Sequence, residues 1–283
     1  MSTTATSHPF APSRPDSRVR LGFGGILHGE WIKLLSLRST WWSSVLTVVL
    51  MGLFGLAQVA SLSTLQEQSG ATGDGAFSKL HGAEVISGGY QFGMVTVAVL
   101  GVLAITGEYS TGMIRSTLTT VPTRIPVLVA KALVLVVLTV LVSALGLIVS
   151  YLVSAPLLSP MGLVPALEDP ATWQVFGGMA YFLAIIALFG LGVGTVLRHS
   201  AAGITAVLGV LLLLPMVLQY IALEWVQQLM VYLPVPAATA FLALNGRLSL
   251  AGDLTLWEGV AVVAGYAVVA LGLGAVLLRR RDA

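Results

Sequence analysis

The sequence predicts an all-α integral membrane protein with six membrane-spanning helices, and composition and uncharged stretches both point to it. Apolar residues fill 57% of the 283 positions and charged residues only 9%, against about 25% charged in an ordinary soluble domain. The mean hydropathy is +0.94. A helical span needs about 20 residues. Seven stretches carry no charge, and each of them is at least that long. They are Ser39–Gln66, Val85–Gly107, Ala132–Leu167, Pro170–Leu197, His199–Leu223, Trp225–Gly246 and Gly259–Leu278.

The part before the first span divides into a tail and a helix. Residues 1–20, rich in Ser, Thr and Pro, are expected to form a disordered cytosolic tail, and residues 21–283 a single transmembrane domain. An amphipathic helix at the cytosolic interface is predicted over residues 25–38, with Glu30, Lys33 and Arg38 off its apolar stripe. The alternative is a cytosolic extension of the first span. The stripe consists of Leu27, Trp31, Leu34 and Leu35.

Six of the seven stretches are predicted to cross the membrane. The exception contains two prolines, which interrupt a helix and leave two pieces too short to cross at about 1.5 Å per residue. We therefore expect a re-entrant helix pair over residues 226–245, with its turn at Pro234 and Pro236; the alternative is a proline-kinked seventh span. The six spans are predicted at about 41–60, 89–106, 127–153, 176–196, 201–223 and 257–278.

The distribution of basic residues predicts the orientation. With six spans and both termini in the cytosol, 12 of the 14 Lys and Arg residues fall on the cytosolic side, as the positive-inside rule requires. Only Lys79 and Arg247 fall outside, together with eight acidic residues. A seventh crossing would reverse the side of the three C-terminal arginines.

Several kinds of chemistry are not expected from these residues. The sequence has no G-x-x-x-x-G-K-[ST] motif for nucleotide phosphates and no Cys, and its four His are scattered. We therefore expect no metal site, no cofactor on this chain and no enzymatic activity. No predicted span carries a charge at its middle, where ion and proton carriers usually keep one.

A polar segment separates the second and third spans. We predict a cytosolic helix over residues 108–119, with Glu108 at its N-terminus, where the helix dipole favours a carboxylate. Met113 and Ile114 form an apolar edge, and Leu118 lies one turn after Ile114. Such a helix suits a groove on another protein. The alternative is an ordinary loop helix that packs against the bilayer.

The segment resembles the signature of bacterial ABC-2 type transporter permeases. The helix before the first span, the six spans and the proline-broken pair also resemble that family, so the likeness covers nearly all of the chain from residue 20 onward. Arg115 departs from the pattern, because many relatives carry an acidic residue there. The matching residues are Glu108, Gly112, Met113, Ile114, Leu118, Pro122, Arg124 and Lys131.

The resemblance implies half of an export pathway in the bacterial plasma membrane, in contact with lipid and not with nucleic acid. A second permease, identical or paralogous, would complete the pathway, and a separate ATPase subunit would bind ATP and Mg. An ATP-independent carrier and a non-transporting scaffold or immunity protein are the alternatives. Met113, Ile114 and Arg115 are implied to contact the ATPase, and Glu108 to hold the helix against the inner membrane surface. The residues implied to form the whole ATPase-coupling interface are Glu108, Tyr109, Gly112, Met113, Ile114, Arg115 and Leu118.

The cargo is not readable from the sequence. Gln58, Gln91 and Gln219 are the strongly polar side chains near the spans. The many small residues suit an amphipathic or hydrophobic cargo, but they also let helices pack closely, and close packing is the explanation we favour.

Overall fold

The computed structural model describes residues 22–69, 80–113, 124–244, 250, 252 and 254–280. All regular secondary structure within these residues is helical, which confirms the all-α prediction. Short turns connect most of the helices. The helices are α1 (Phe23–Ser36), α2 (Arg38–Ser69), α3 (Gly82–Ser87), α4 (Tyr90–Ser110), α5 (Arg124–Leu158), α6 (Pro170–Leu197), α7 (Ser200–Leu218), α8 (Glu224–Met230), α9 (Pro234–Leu242) and α10 (Leu256–Arg280).

Six helices, α2, α4, α5, α6, α7 and α10, are long and apolar enough to cross a membrane. Several of their bounds depart from the sequence expectation. For example, α2 continues to Ser69 rather than to residue 60, α6 begins at Pro170 rather than at residue 176, and α7 ends at Leu218 rather than at residue 223. This helix also contains a π-helical turn at Gly209–Leu213, just before Pro215. Proline supplies no backbone N–H and its ring crowds the preceding turn, so the wider turn accommodates it.

Helices α4 and α6 form the centre of the bundle because small residues let their backbones approach closely. A Cβ added at Gly190 of α6 would lie 2.5 Å from the carbonyl oxygen of Ala98 in α4. Reciprocally, a Cβ at Gly101 of α4 would overlap the carbonyl oxygen of Ala187. Close backbone approach at small residues is the usual way in which helices associate in lipid. Helices α2, α7 and α10 lie at the periphery and keep much of their apolar surface exposed.

The helices alternate in direction, so the charges collect at two ends of the bundle. We call one the basic end; it carries Lys33, Arg38, Lys131, Arg198, Arg279 and Arg280. We call the other the acidic end; it carries Glu84, Glu168, Asp169, Glu224 and Glu258. At the acidic end His81 caps α3 and Asp169 caps α6, and their side chains meet at 3.0 Å. This contact ties the start of α3 to the start of α6.

Helix α1 is a separate element and not an extension of the first span. Leu37 adopts an extended conformation between α1 and α2, and the indole N–H of Trp41 donates to the carbonyl of Leu35 at 2.8 Å. That bond satisfies one of the carbonyls left without a partner at a helix end. Within the apolar stripe, Leu34 is buried, and the other three residues pack partly buried against the core: Leu27, Trp31 and Leu35.

The proline-broken region forms two short helices, α8 of seven residues and α9 of nine. Neither is long enough to cross a membrane alone. The predicted position of the turn is wrong: Val231–Leu233 make the turn, and Pro234 and Pro236 lie in the first turn of α9. Proline is favoured there because the first turn of a helix needs no backbone donor.

Candidate functional site

Four charged side chains meet at the basic end and join three helices. Lys131 of α5 lies at the centre and donates to the carboxylates of Glu30 in α1, at 2.6 Å, and Glu108 in α4, at 2.8 Å. Lys33 of α1 donates to Glu30 at 2.8 Å and lies 3.6 Å from Glu108. We call these four residues the ion cluster. It connects segments up to 101 positions apart in sequence.

The ion cluster is buried and balanced in charge. The side chains of Glu30, Glu108 and Lys131 are 3%, 8% and 6% exposed, whereas that of Lys33 is 32% exposed. Two carboxylates face two ammonium groups, which is the condition under which charges are tolerated away from water. The second carboxylate oxygen of Glu108, Oε2, has no hydrogen-bond partner among the residues that the structure describes.

The protonation of Glu30 and Lys33 follows from opposing effects. Burial acts to raise the pKa of the Glu30 carboxyl, but the charges and hydrogen bonds of Lys131 and Lys33 outweigh it and hold this pKa below its ordinary value of 4.5. Burial likewise acts to lower the pKa of Lys33, and the two glutamates raise it above 10.5. Both groups are therefore charged at neutral pH.

A second set of contacts ties the end of α4 to the junction between α6 and α7. The guanidinium of Arg198 lies 5.3 Å from the centre of the Tyr109 ring, a distance at which a cation and an aromatic face attract. One turn earlier, Thr106 accepts a hydrogen bond of 2.9 Å from Ser200. Arg198 ends α6 in the left-handed conformation, with φ of 56°. Two consecutive residues of α4 thus contact different neighbours. Glu108 contacts Lys131 and Lys33, and Tyr109 contacts Arg198.

The predicted coupling residues begin inside the second span. Glu108 and Tyr109 lie in the last turns of α4, so the expectation that Glu108 opens a new helix is wrong. The helix continues to Ser110 and is followed by Gly112 with φ of 72°, the usual left-handed ending. Met113 is half exposed. The rest of the predicted set lies outside the described residues: Ile114, Arg115 and Leu118.

Sequence reasoning did not bring Glu30 or Lys33 into the site, and it named Lys131 only as part of the family signature. Helical periodicity put Glu30 on the polar face of α1, whereas the structure buries it against α5. A charged residue inside an apolar stretch is a signal that a partner lies elsewhere in the fold. Lys131, one to two turns into α5, gives that signal.

The ion cluster holds positions and supplies no reactive group. Its carboxylates are occupied by ammonium groups, and no nucleophile and base are paired within it. In the described part of the chain, no three His, Cys, Asp or Glu side chains come together in a way that could hold a metal ion. The arrangement fixes the end of α4 and the start of α5, which are the two helices flanking residues 114–123.

Comparison with known proteins gives the family. No curated protein sequence matches the chain. The family described as ABC-2 family transporter protein matches residues 25–283, which include most of α1, all six long helices and the α8–α9 pair. This match covers more than half of the chain and agrees with six helices able to cross a membrane. The chain therefore belongs to the ABC-2 family of transporter proteins and is a multi-pass permease.

Proposed function

We propose that the chain forms the transmembrane pathway of an ATP-binding-cassette exporter and is driven by a separate ATPase subunit. The observation that carries the proposal is the ion cluster, because it anchors both helices that flank residues 114–123. A segment that receives force from a motor needs firm attachment to the moving spans. Lys131 and Glu108 provide it through a hydrogen bond of 2.8 Å between α4 and α5.

In the proposed mechanism the ATPase binds the segment that follows Gly112 and moves it when ATP is bound or hydrolysed. The motion passes to α4, whose last turns are attached to α5 and α1 through Glu108 and to Arg198 through Tyr109. Since α4 also packs against α6 along its length, the motion extends to the centre of the bundle. ATP and Mg belong to the partner in this scheme, and the permease contributes no catalytic group.

The basic end faces the cytosol in this proposal. Lys131, Arg198 and Arg280 lie there with 9 other basic residues that the six-span topology places on the same side, 12 of 14 in all. Both termini are then cytosolic, and the membrane is the bacterial plasma membrane. Helices α8 and α9 enter from the acidic end and turn back. The backbone of α9 is shielded there because α9 packs against α6 and α10, as non-spanning backbone requires at membrane depth.

A second permease copy, identical or paralogous, completes the pathway in this proposal. The peripheral helices α2, α7 and α10 expose apolar side chains, including Leu53, Leu213 and Val268. Such surfaces are compatible with lipid and with a second copy. We propose that each of these three helices contacts either the lipid or the second copy.

The test is a paired substitution in the segment that the ATPase is proposed to bind, Ile114→Asp with Arg115→Glu. The permease is purified with the ATPase subunit that accompanies the wild-type chain. We expect ATPase binding and permease-stimulated ATP hydrolysis to fall at least about tenfold, because interface anchors carry most of the binding energy. Membrane insertion should be unchanged.

The matched control is Arg280→Glu, a charge reversal at an exposed residue of the same end. It should leave binding and hydrolysis close to wild type. Unchanged hydrolysis in the paired variant would contradict the proposal. Substrate transport that persists in vesicles without nucleotide would instead support an ATP-independent carrier.

A further inference from the structure

A cavity of about 570 Å³ at the acidic end has a partly polar wall, whereas the walls of three other cavities are almost wholly apolar. It lies between α2, α3, α4 and α9, and its volume is in the range of about 300–1,000 Å³ typical of small-molecule sites. The polar groups on its wall come from separate parts of the chain. They include Gln58, Ser61, Glu84 and Gln91.

Glu84 supplies a buried carboxylate to this cavity. It is only 8% exposed, and its Oε1 accepts a hydrogen bond from the backbone N–H of Leu244. Within the described residues, none of the salt bridges at 4.0 Å or less involves Glu84. The other carboxylates buried in the described part of the chain, Glu30 and Glu108, both face Lys131. A carboxylate on the wall of a cavity is a natural partner for a cationic ligand, because the pair is bound by both a charge interaction and a hydrogen bond.

Two amide side chains stand near the carboxylate. Gln58 and Ser61 follow each other at helical spacing on α2, and Gln91 extends from the start of α4. Gly88 makes room for Gln58, since a Cβ added there would overlap the Gln58 side-chain oxygen. Carboxamides and hydroxyls both donate and accept hydrogen bonds, so they suit a ligand with N–H groups.

The apolar part of the wall includes an aromatic pair. The rings of Phe54 and Phe92 are stacked, with centroids 3.3 Å apart and planes inclined by 12°, and both residues line the cavity. Aromatic faces attract cations and bury apolar groups. The cavity therefore combines a carboxylate with an aromatic surface, which together match an organic cation with an apolar body.

We propose that this cavity binds an amphiphile that carries a protonated amine, with Glu84 pairing with the ammonium group and Phe54 and Phe92 contacting the apolar part. Gln58 and Gln91 bind the remaining N–H groups. That the ligand is the exported cargo on its way out at the acidic end rests on the function proposed above. The binding itself does not, so it is tested on the permease alone.

The probe is dansylcadaverine, a fluorophore with one primary ammonium group, and the neutral comparison is its N-acetyl derivative. Both are titrated into the full chain in lipid nanodiscs, with empty nanodiscs as the blank. We expect the amine to bind at least about tenfold more tightly than the acetylated compound, the size of effect that one charge-assisted hydrogen bond produces.

Glu84→Gln removes the charge but keeps an oxygen that accepts from Leu244, so it separates ligand binding from folding. It should weaken binding of the amine about tenfold and leave the acetylated compound unaffected. Glu168→Gln is the matched control, because Glu168 is exposed at the same end and does not line the cavity. It should change neither affinity.

Equal affinity for the two compounds, or an equal loss of amine binding in Glu84→Gln and Glu168→Gln, would overturn the proposal. These outcomes are distinguishable from failure of the exporter function. Charge-dependent binding without nucleotide-driven transport would refute the exporter alone, whereas nucleotide-driven transport without charge-dependent binding would refute the cavity alone.

Discussion

Lys131 of α5 donates a hydrogen bond of 2.8 Å to Glu108 of α4, and this contact joins the helices on either side of residues 114–123. Both side chains are over nine-tenths buried. The pair also recruits Glu30, so α1 is attached at the same point. The second and third spans and α1 are therefore expected to move as one body at the basic end.

Removing Lys131 should be strongly destabilising. Lys131→Met keeps the length of the side chain and leaves two buried carboxylates facing only Lys33. Breaking a buried ion pair in this way costs about 3–5 kcal/mol, measured as the change in unfolding free energy of the purified protein. Lys33→Met is the control: Lys33 is about one-third exposed, and partly solvated pairs contribute only about 0–1 kcal/mol.

A second substitution tests whether the loss of stability in Lys131→Met comes from the buried carboxylates that are left without Lys131. Adding Glu108→Gln to Lys131→Met removes one of the stranded carboxylates and should recover part of the stability. Residues in direct contact show interaction energies of about 0.5–3 kcal/mol in such cycles. Strictly additive losses would mean that Glu108 and Lys131 do not stabilise each other.

The ion cluster also marks the limit of what the sequence could predict. The six long helices were predictable, because a span is recognised from the composition of one continuous stretch. Pairing of Glu30 with Lys131 was not, because the two residues are 101 positions apart and periodicity within α1 reports only which residues share a face. The sequence contained a partial signal in Lys131, a charge within apolar surroundings.

The ends of helices were the other source of error. Glu108 was expected to begin a helix because a carboxylate is favoured at an N-terminus. In the structure it lies near a C-terminus, where the dipole is unfavourable, and the nearby ammonium groups of Lys131 and Lys33 compensate. Gly112, with φ of 72°, was the better indicator of where the helix ends.

Acid should weaken the fold through Glu30. Because its folded-state pKa lies below the ordinary value of 4.5, the charged carboxylate contributes stability above that pH. The contribution is lost as the pH falls through the lowered pKa. The melting temperature of wild type and Glu30→Gln is measured from neutral pH to below 4.5. We expect wild type to be more stable at neutral pH and the difference to shrink on acidification; a constant difference would exclude this role.

Two glycines of α6 should respond differently to the same change. A Cβ at Gly190 would lie 2.5 Å from the carbonyl oxygen of Ala98, whereas one at Gly177 would meet nothing within 4 Å. Gly190→Ala should therefore force α4 and α6 apart and cost about 1–3 kcal/mol, as overpacking usually does. Gly177→Ala should be neutral or slightly stabilising, since alanine favours a helix over glycine by about 1 kcal/mol. Thermal unfolding of the two variants compares them directly.

The side of the membrane on which the basic end lies can be read from single cysteines, since the native chain has none. Ser110 is exposed at the basic end and Glu168 at the acidic end. A membrane-impermeant maleimide should label Glu168→Cys in intact cells, and Ser110→Cys only after the inner membrane is permeabilised. Ser110 lies two residues before Gly112, after which the segment proposed to bind the ATPase begins. Labelling of Ser110→Cys from outside would therefore place that segment away from any cytosolic ATPase. That result would refute the exporter while leaving the ion cluster and the six-helix fold intact.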